Sequence, residues 1–347
     1  MTKDLKLGYQ LGYWGAGPPV NAVANVAEAE QLGYDSIWTA EAYGSDALTP
    51  LAWLGANTSR VRLGTAIVQL SARTPTATAM AAMTLDHLSG GRFVLGLGVS
   101  GPQVVEGWYG ATFPKPLART REYVDIVRQA LRREGPVTSD GPHYPLPRTG
   151  PDTTGLGKPL KPIVHPLRAD VPIILGAEGA KNIALAAEIA DGWLPIFYAP
   201  EHDASYRSAL AEGFAKPGAR RTAEDFEVVC NATVIVDDDL ERAANSIRPV
   251  LALYIGGMGA RDMNFHFDVF ARMGFEGEAR RIQELYLDGR KDEAAAAVPL
   301  ELVDATTLIG PRERIRDTLE KWRDSPVTTL LVGGSMQSVR LMAELVL

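Results

Sequence analysis

The amino-acid sequence predicts an α/β protein folded as a (β/α)8 TIM barrel, and two observations carry that expectation. Short runs rich in β-branched and apolar residues alternate with helical periodicity, and eight such strand and helix pairs can be read along the chain. A parallel crossover places its helix outside the sheet, so eight in succession bring the last strand beside the first and favour a closed barrel over an open doubly wound sheet. With 347 residues, 46% of them apolar and 22% charged, the chain has the material for a large core.

The first pair is "LKLGYQL" with the helical "VNAVANVAEAEQLG", which stops on Gly33. "YDSIWTA" and "ALTPLAWLGANTS" form the second. Then come "VRLGTAIVQL" with "TPTATAMAAMTLDHLSGG", and "RFVLGLG" with "ARTREYVDIVRQALRRE". "VPIILG" leads into "AKNIALAAEIA", "GWLPIF" into "EHDASYRSALAEGF", and "FEVVCNATVIV" into "LERAANSIRPVLALY". "TTLLVGG" and "MQSVRLMAELVL" close the series. Two stretches interrupt this rhythm. Residues 135 to about 171 are rich in Pro and Gly, with "SDG" as a possible hairpin turn, and residues 256 to about 327 carry helical patterns between the seventh and eighth strands. Neither has the composition of a disordered linker, so the expectation is one domain, residues 1–347, with two pocket-building insertions.

Composition narrows the function. The net charge is −7, from 35 basic and 42 acidic residues, and no basic block is long enough to follow a phosphate backbone, so nucleic acid is not an expected partner. Cys230 is the single cysteine and lies in the apolar "VVCNATVIV", which suits a buried inert thiol better than a nucleophile. The five His are scattered without ligand spacing, so no metal is expected. The beginning "MTKDLKLGYQLGYWG" has no continuous apolar segment and no run approaches a membrane span, which predicts a cytoplasmic protein. "GLGVSG" formally matches the dinucleotide-binding glycine pattern, but "PQVVEGWYG" after it reads as non-helical and no acid follows at a strand end about twenty residues on. Nor is Ser100 in the frame of a nucleophile elbow.

The active end of such a barrel is where strands finish, so the residues to weigh follow each strand. Gln10, Tyr13 and Trp14 follow the first, Glu41, Tyr43 and Asp46 the second, and "GLGVSGPQVVEGWYG" belongs to the fourth. The fifth is followed by "GAEGAKN", where Gly176 and Gly179 allow a tight turn into a helix whose first amides are unpaired. Such a terminus attracts an anion. Glu178 is out of place beside an anion unless its side chain turns away and the backbone does the binding. Lys181 at the helix start, and Met258 and Met263 as an adaptable wall, fit either the site or ordinary surface and core.

Taken together, "LGYQLGYWGAGPP", "SIWTAEAYGSDA", "LSARTP", "LSGGRFVLGLGVSGPQVVEGWYG", "GAEGAKNIALAAEIADGW" and "YIGGMGARDMNFHFD" resemble the bacterial luciferase-like superfamily, more narrowly its coenzyme F420-dependent oxidoreductases. The resemblance runs in order over essentially the whole chain. It implies a barrel, commonly a homodimer, that binds a deazaflavin or FMN without a covalent bond. The activity implied is hydride transfer between coenzyme F420 and a small organic substrate, with an FMN-dependent monooxygenase as the alternative. A cofactor-binding protein without turnover is a third reading. By the same resemblance, Glu41 and Glu106 are the candidate catalytic carboxylates. A non-prolyl cis bond at Ser71–Ala72, with Thr74 nearby, would back the ring, and Ser100, Gln103 and Val104 would line the ring and its chain. Gly176, Ala177, Glu178, Gly179 and Ala180 would take the cofactor phosphate on their amides. Trp14, Tyr43, Trp108 and His266 are expected around the substrate.

Overall fold

The computed structural model describes residues 4–261 and 263–347. Its strands are β1 (Lys6–Gln10), β2 (Ser36–Thr39), β3 (Arg62–Thr65), β4 (Val68–Gln69), β5 (Phe93–Gly98), β6 (Ile173–Gly176), β7 (Gly192–Leu194), β8 (Glu227–Val236), β9 (Thr307–Gly310) and β10 (Thr329–Gly333). The helices are α1 (Ala22–Gln31), α2 (Leu48–Gly55), α3 (Pro75–Leu88), α4 (Pro102–Gly107), α5 (Pro116–Arg132), α6 (Ala180–Ile189), α7 (Ala204–Phe214), α8 (Leu240–Ala252), α9 (Phe265–Phe270), α10 (Glu276–Leu287), α11 (Lys291–Ala296), α12 (Leu300–Thr306), α13 (Arg312–Arg323) and α14 (Met336–Val346). No described helix is long and apolar enough to cross a membrane.

All the paired strands are parallel, and the order β10-β1-β2-β3-β5-β6-β7-β8 closes because β8 also pairs with β10, Val229 opposite Thr329. The predicted barrel is therefore present, in sequence order. One strand was not expected. β9 lies among residues read as helical and pairs with the far end of β8, Thr233 opposite Thr307. It is four residues long and follows α12 without a turn, so no periodicity sets it apart.

The predicted third strand, residues 61–70, is divided. Leu63 pairs with Phe93 and Val68 with Leu97, so this strand spends one residue more than its neighbour over the same stretch and bulges between β3 and β4. Thr65 mends the ladder there. Its Oγ1 accepts the Gly96 N–H at 2.8 Å and donates to the Gly96 carbonyl at 2.9 Å. Position 96 has to be glycine, since a Cβ would lie 1.7 Å from the Thr65 carbonyl oxygen. The non-prolyl cis bond is Ala66–Ile67, inside this bulge, which corrects the expectation of Ser71–Ala72. Those two residues instead follow β4 in a turn closed by Ala72 N–H donating to Gln69 O at 3.1 Å. A second correction concerns "PQVVEGW", which forms α4: Gly101 is its N-cap and Pro102, preset for a helix but lacking a donor, its first residue.

Inside the barrel, Trp38, Val94, Ile174, Leu194, Val229 and Leu331 pack together, while Leu7, Ile37, Leu63, Leu95 and Ile173 face the surrounding helices. Trp38 fills the interior because Gly8 and Gly64 yield it room. At the far end from the strand tips, Arg62 bonds both oxygens of Glu227, at 3.0 and 2.8 Å, and Asp35 at 3.0 Å. The segment after β8 packs a cluster of its own, with Ile255, Phe270, Met273, Ile282 and Leu302 buried together. In the earlier Pro/Gly-rich stretch, antiparallel bridges join Val137 to Leu160 and Ser139 to Leu146, so the chain reverses in a loop wider than "SDG" alone. Glu122 of α5 anchors that loop by accepting the N–H groups of His143 and Tyr144.

A Cβ on Gly64 would sit 2.3 to 2.5 Å from three atoms of the Trp38 ring. Gly64→Ala should therefore cost about 3 kcal/mol in urea unfolding. Gly15→Ala, where a Cβ meets nothing within 4 Å, should stay within about 0.5 kcal/mol of the parent.

Candidate functional site

Side chains alternate along a strand, so the residues two beyond the interior core point into the mouth of the barrel. On β1 this is Gln10, on β6 Gly176, on β8 Asn231 and on β10 Gly333. Small residues there leave the mouth open. Ile67, pushed inward by the bulge, covers part of it: a Cβ on Gly98 would lie 2.8 Å from its Cδ1, and one on Gly176 3.2 Å from its Cγ2. Ile67 and not Ser71 or Ala72 is thus the apolar floor beside the turn after β6. Ser71 contributes to a small hollow with Leu70, Val99 and Val105. Thr74 caps α3, its hydroxyl accepting the Ala77 N–H at 3.3 Å.

Glu41 is buried beyond the tip of β2, and donors hold both its oxygens. Oε2 accepts from Arg73 Nη1 at 2.7 Å and from the Ala47 N–H at 3.4 Å, and Oε1 accepts the Gln69 N–H at 3.2 Å. Gln69 returns a bond from Nε2 to the Glu41 carbonyl at 3.2 Å. These donors fix the carboxylate in place, an arrangement suited to positioning. Glu106 differs. It is exposed on α4 and makes no hydrogen bond or ion pair among the described residues.

The loop after β5 turns at Ser100, whose φ of 60° is left-handed. It delivers an exposed Gln103 and a half-buried Val104 on the first turn of α4, and Trp108, 63% exposed, at its end. Tyr43 and Tyr13 also leave their rings exposed, and Trp14 is half-buried. Burial pushes the pKa of Tyr13 up, and a hydrogen bond with Tyr254 pulls it partly back.

The turn after β6 is held from several sides. The Ala177 carbonyl accepts Trp193 Nε1 at 2.7 Å. The Glu178 carbonyl accepts Arg272 Nη2 at 3.0 Å, and Glu178 Oε2 lies 3.4 Å from His266 Nδ1. Gly179 is the N-cap of α6, in extended conformation and without a side-chain cap. Its carbonyl accepts the N–H groups of Asn182 and Ile183, at 2.8 and 2.9 Å. The N–H groups of Gly179, Ala180 and Lys181 have no partner among the described residues. A Cβ on Gly179 would meet nothing within 4 Å, so the space before these amides is open. His266 stands between the rings of Phe197 and Tyr254, its centroid 6.0 and 4.9 Å from theirs.

Four participants escaped the sequence reading of the site: Gln69, Arg73, Asn231 and Arg272. Gln69 and Asn231 carried a signal, since each interrupts an apolar strand run. In the structure Gln10 Oε1, Gln69 Oε1 and Asn231 Oδ1 are buried acceptors without a donor among the described residues. Leaving such acceptors unpaired costs about 1–3 kcal/mol each, so a polar ligand or water belongs there. Arg73 and Arg272 gave no signal, because what they hold comes from distant parts of the chain.

Arg73→Gln should leave the Glu41 carboxylate buried without its cation and destabilise the protein by about 3 kcal/mol. Adding Glu41→Gln should recover most of that loss in a denaturation double-mutant cycle. Additive losses would mean the pair is not coupled.

The family model of luciferase-like monooxygenases matches residues 8–329. Over 347 residues, 100% of both chains, the protein is 62% identical to one from Mycobacterium tuberculosis (strain ATCC 25618 / H37Rv) that is named "Putative coenzyme F420-dependent oxidoreductase". It is 28% identical over 312 residues, 88% of this chain and 87% of the relative, to the 5,10-methylenetetrahydromethanopterin reductase of Archaeoglobus fulgidus. Among solved structures, the coenzyme F420 dependent tetrahydromethanopterin reductase from Methanopyrus kandleri has the same fold, with a TM-score of 0.79 at 23% identity over 99% of this chain and 98% of that one. The match to the family model covers nearly the whole barrel and the full-length relative leaves no part of it unpaired: the chain belongs to the luciferase-like monooxygenase family.

Proposed function

We propose that this protein is a coenzyme F420-dependent oxidoreductase that moves hydride between the deazaflavin and a small organic substrate. The observation that carries the reading is the 62% identity, over the full length of both chains, to the mycobacterial F420-dependent oxidoreductase. The site fits such a coenzyme. An open, uncapped α6 terminus suits a phosphate, and buried acceptors on Gln10, Gln69 and Asn231 suit the N–H edge of a heterocycle.

When bound, the coenzyme supplies the carbon that accepts or releases hydride; the chain supplies orientation and electrostatics. The amides of Gly179, Ala180 and Lys181 would hold the phosphate. Ile67 would support the ring, with Ser100, Gln103 and Val104 alongside. Glu41, clamped by Arg73, keeps the tip of β2 against β4 and lends the mouth a fixed charge pair. Glu106 stands exposed on α4 with no partner among the described residues, and the rings of Tyr13, Tyr43 and Trp108 would wall the substrate.

Equilibrium binding of F420 and FMN to the purified protein, side by side, tests this. F420 should bind at least tenfold more tightly, and Gly179→Pro, which removes one amide donor, should weaken F420 binding about tenfold. Tighter FMN binding would sink the reading in favour of a flavin monooxygenase.

The same reading includes a cytoplasmic homodimer. Cys230, fully buried and alone, needs no oxidising compartment. Trp53 on α2 and Met80 and Leu88 on α3 are exposed, as are Ile163, Val164 and Leu167 of the Pro/Gly-rich stretch, which His87 ties to α3 through the His165 carbonyl at 2.7 Å. Apolar side chains exposed in such number suit an interface. Trp53→Glu should therefore convert a dimer into a monomer in light scattering, and a parent protein that is already monomeric would remove the homodimer from the reading.

A further inference from the structure

Glu178 is held twice by the segment that follows β8, and both contacts end on the turn assigned to the phosphate. Arg272, in the helical turn after α9, donates to its backbone carbonyl at 3.0 Å. His266, on α9, presents Nδ1 to its carboxylate at 3.4 Å, and neither of those two side-chain atoms has a hydrogen-bond partner among the described residues. The carbonyl of residue 178 and the N–H of residue 179 belong to one trans peptide and point in opposite directions. A cation on the carbonyl side therefore holds the Gly179 N–H directed to the other side, where no group of the described residues receives it. The carboxylate raises a separate difficulty. A Glu178 carboxylate beside a phosphate is repulsive, and its place is against the His266 ring of α9, which keeps it there.

We infer that Arg272 and His266 are positioning residues for the coenzyme phosphate: Arg272 orients the peptide that offers the Gly179 amide, and His266 removes the Glu178 carboxylate from the anion's path. This rests on the reading of residues 176–180 as the phosphate turn. It goes further by making the affinity for a phosphorylated coenzyme depend on the segment between β8 and β9, which also carries Tyr254, the partner of Tyr13. Arg272 is exposed, so its loss should spare the fold.

The test compares two probes by fluorescence titration: F420, and its riboflavin-like deazaflavin core without phosphate. Arg272→Gln should weaken F420 binding about tenfold and leave the core unchanged, and Arg272→Lys should recover part of the loss. His266→Gln should weaken F420 binding about threefold, and Glu178→Gln added to it should restore the affinity. Two results overturn the inference: Arg272→Gln leaving F420 affinity within twofold of the parent, or weakening both probes alike, as a merely structural role would. Gly179→Pro, measured in parallel, separates the two levels. If it weakens F420 binding and Arg272→Gln does not, only this inference falls; if neither does, the phosphate turn falls with it.

Discussion

The single residue by which the third strand exceeds its neighbour governs the geometry of the mouth. A barrel interior has room for one inward side chain per two residues of strand, and an extra residue must go somewhere. Here it lifts Ile67 over Gly98 and Gly176, which can lie beneath it because they have no side chains. The backbone freed by the bulge is put to use. Ala66 N–H donates to the Thr39 carbonyl at 2.7 Å, and the Ile67 carbonyl accepts the Glu41 N–H at 3.2 Å. The tip of β2 is thereby bound to the bulge, which brings the Glu41 carboxylate to the Gln69 amide and to Arg73. Floor, charge pair and phosphate turn therefore share one origin.

How much of this could be read beforehand follows from which forces are local. Eight strand and helix pairs were legible because alternation and helical period are local, and because "VPIILG" or "TTLLVGG" are bounded by their own turn residues. The turn at 176–180 was legible for the same reason, as glycines between a strand and a helix. The bulge was not. "AIVQL" is apolar enough for a strand in any register, and only the pairing of Leu63 with Phe93 and Val68 with Leu97 reveals the surplus residue. α4 was obscured by "PQVVEG", whose β-branched residues and glycine look like loop, although a proline at the first helical position is a start signal. β9 was too short to show.

The site residues divide along the same line. Glu41 was legible as a residue at a strand tip, but its state depends on Arg73 and Gln69, which reach it from the next βα unit. Burial and charge pairing decide whether a carboxylate trades protons or stays ionised, and both are tertiary properties. Glu106 illustrates the converse. It was legible as a carboxylate in the loop after the fourth predicted strand, and only the structure shows that it stands exposed on α4 without a partner among the described residues.

The anion turn has a consequence for specificity. Backbone amides at a helix start recognise charge and shape and cannot distinguish the phosphate of a deazaflavin from that of FMN. Selection between them has to arise where the two molecules differ. At the mouth the chain offers Ile67 and the amide acceptors on Gln10, Gln69 and Asn231, which have no donor among the described residues. An unpaired buried acceptor penalises any occupant that fails to donate to it by more than a satisfied one rewards the right occupant. On the proposed reading the turn after β6 would supply affinity common to both cofactors, and the choice between them would fall to side chains whose identity the backbone of the barrel does not dictate.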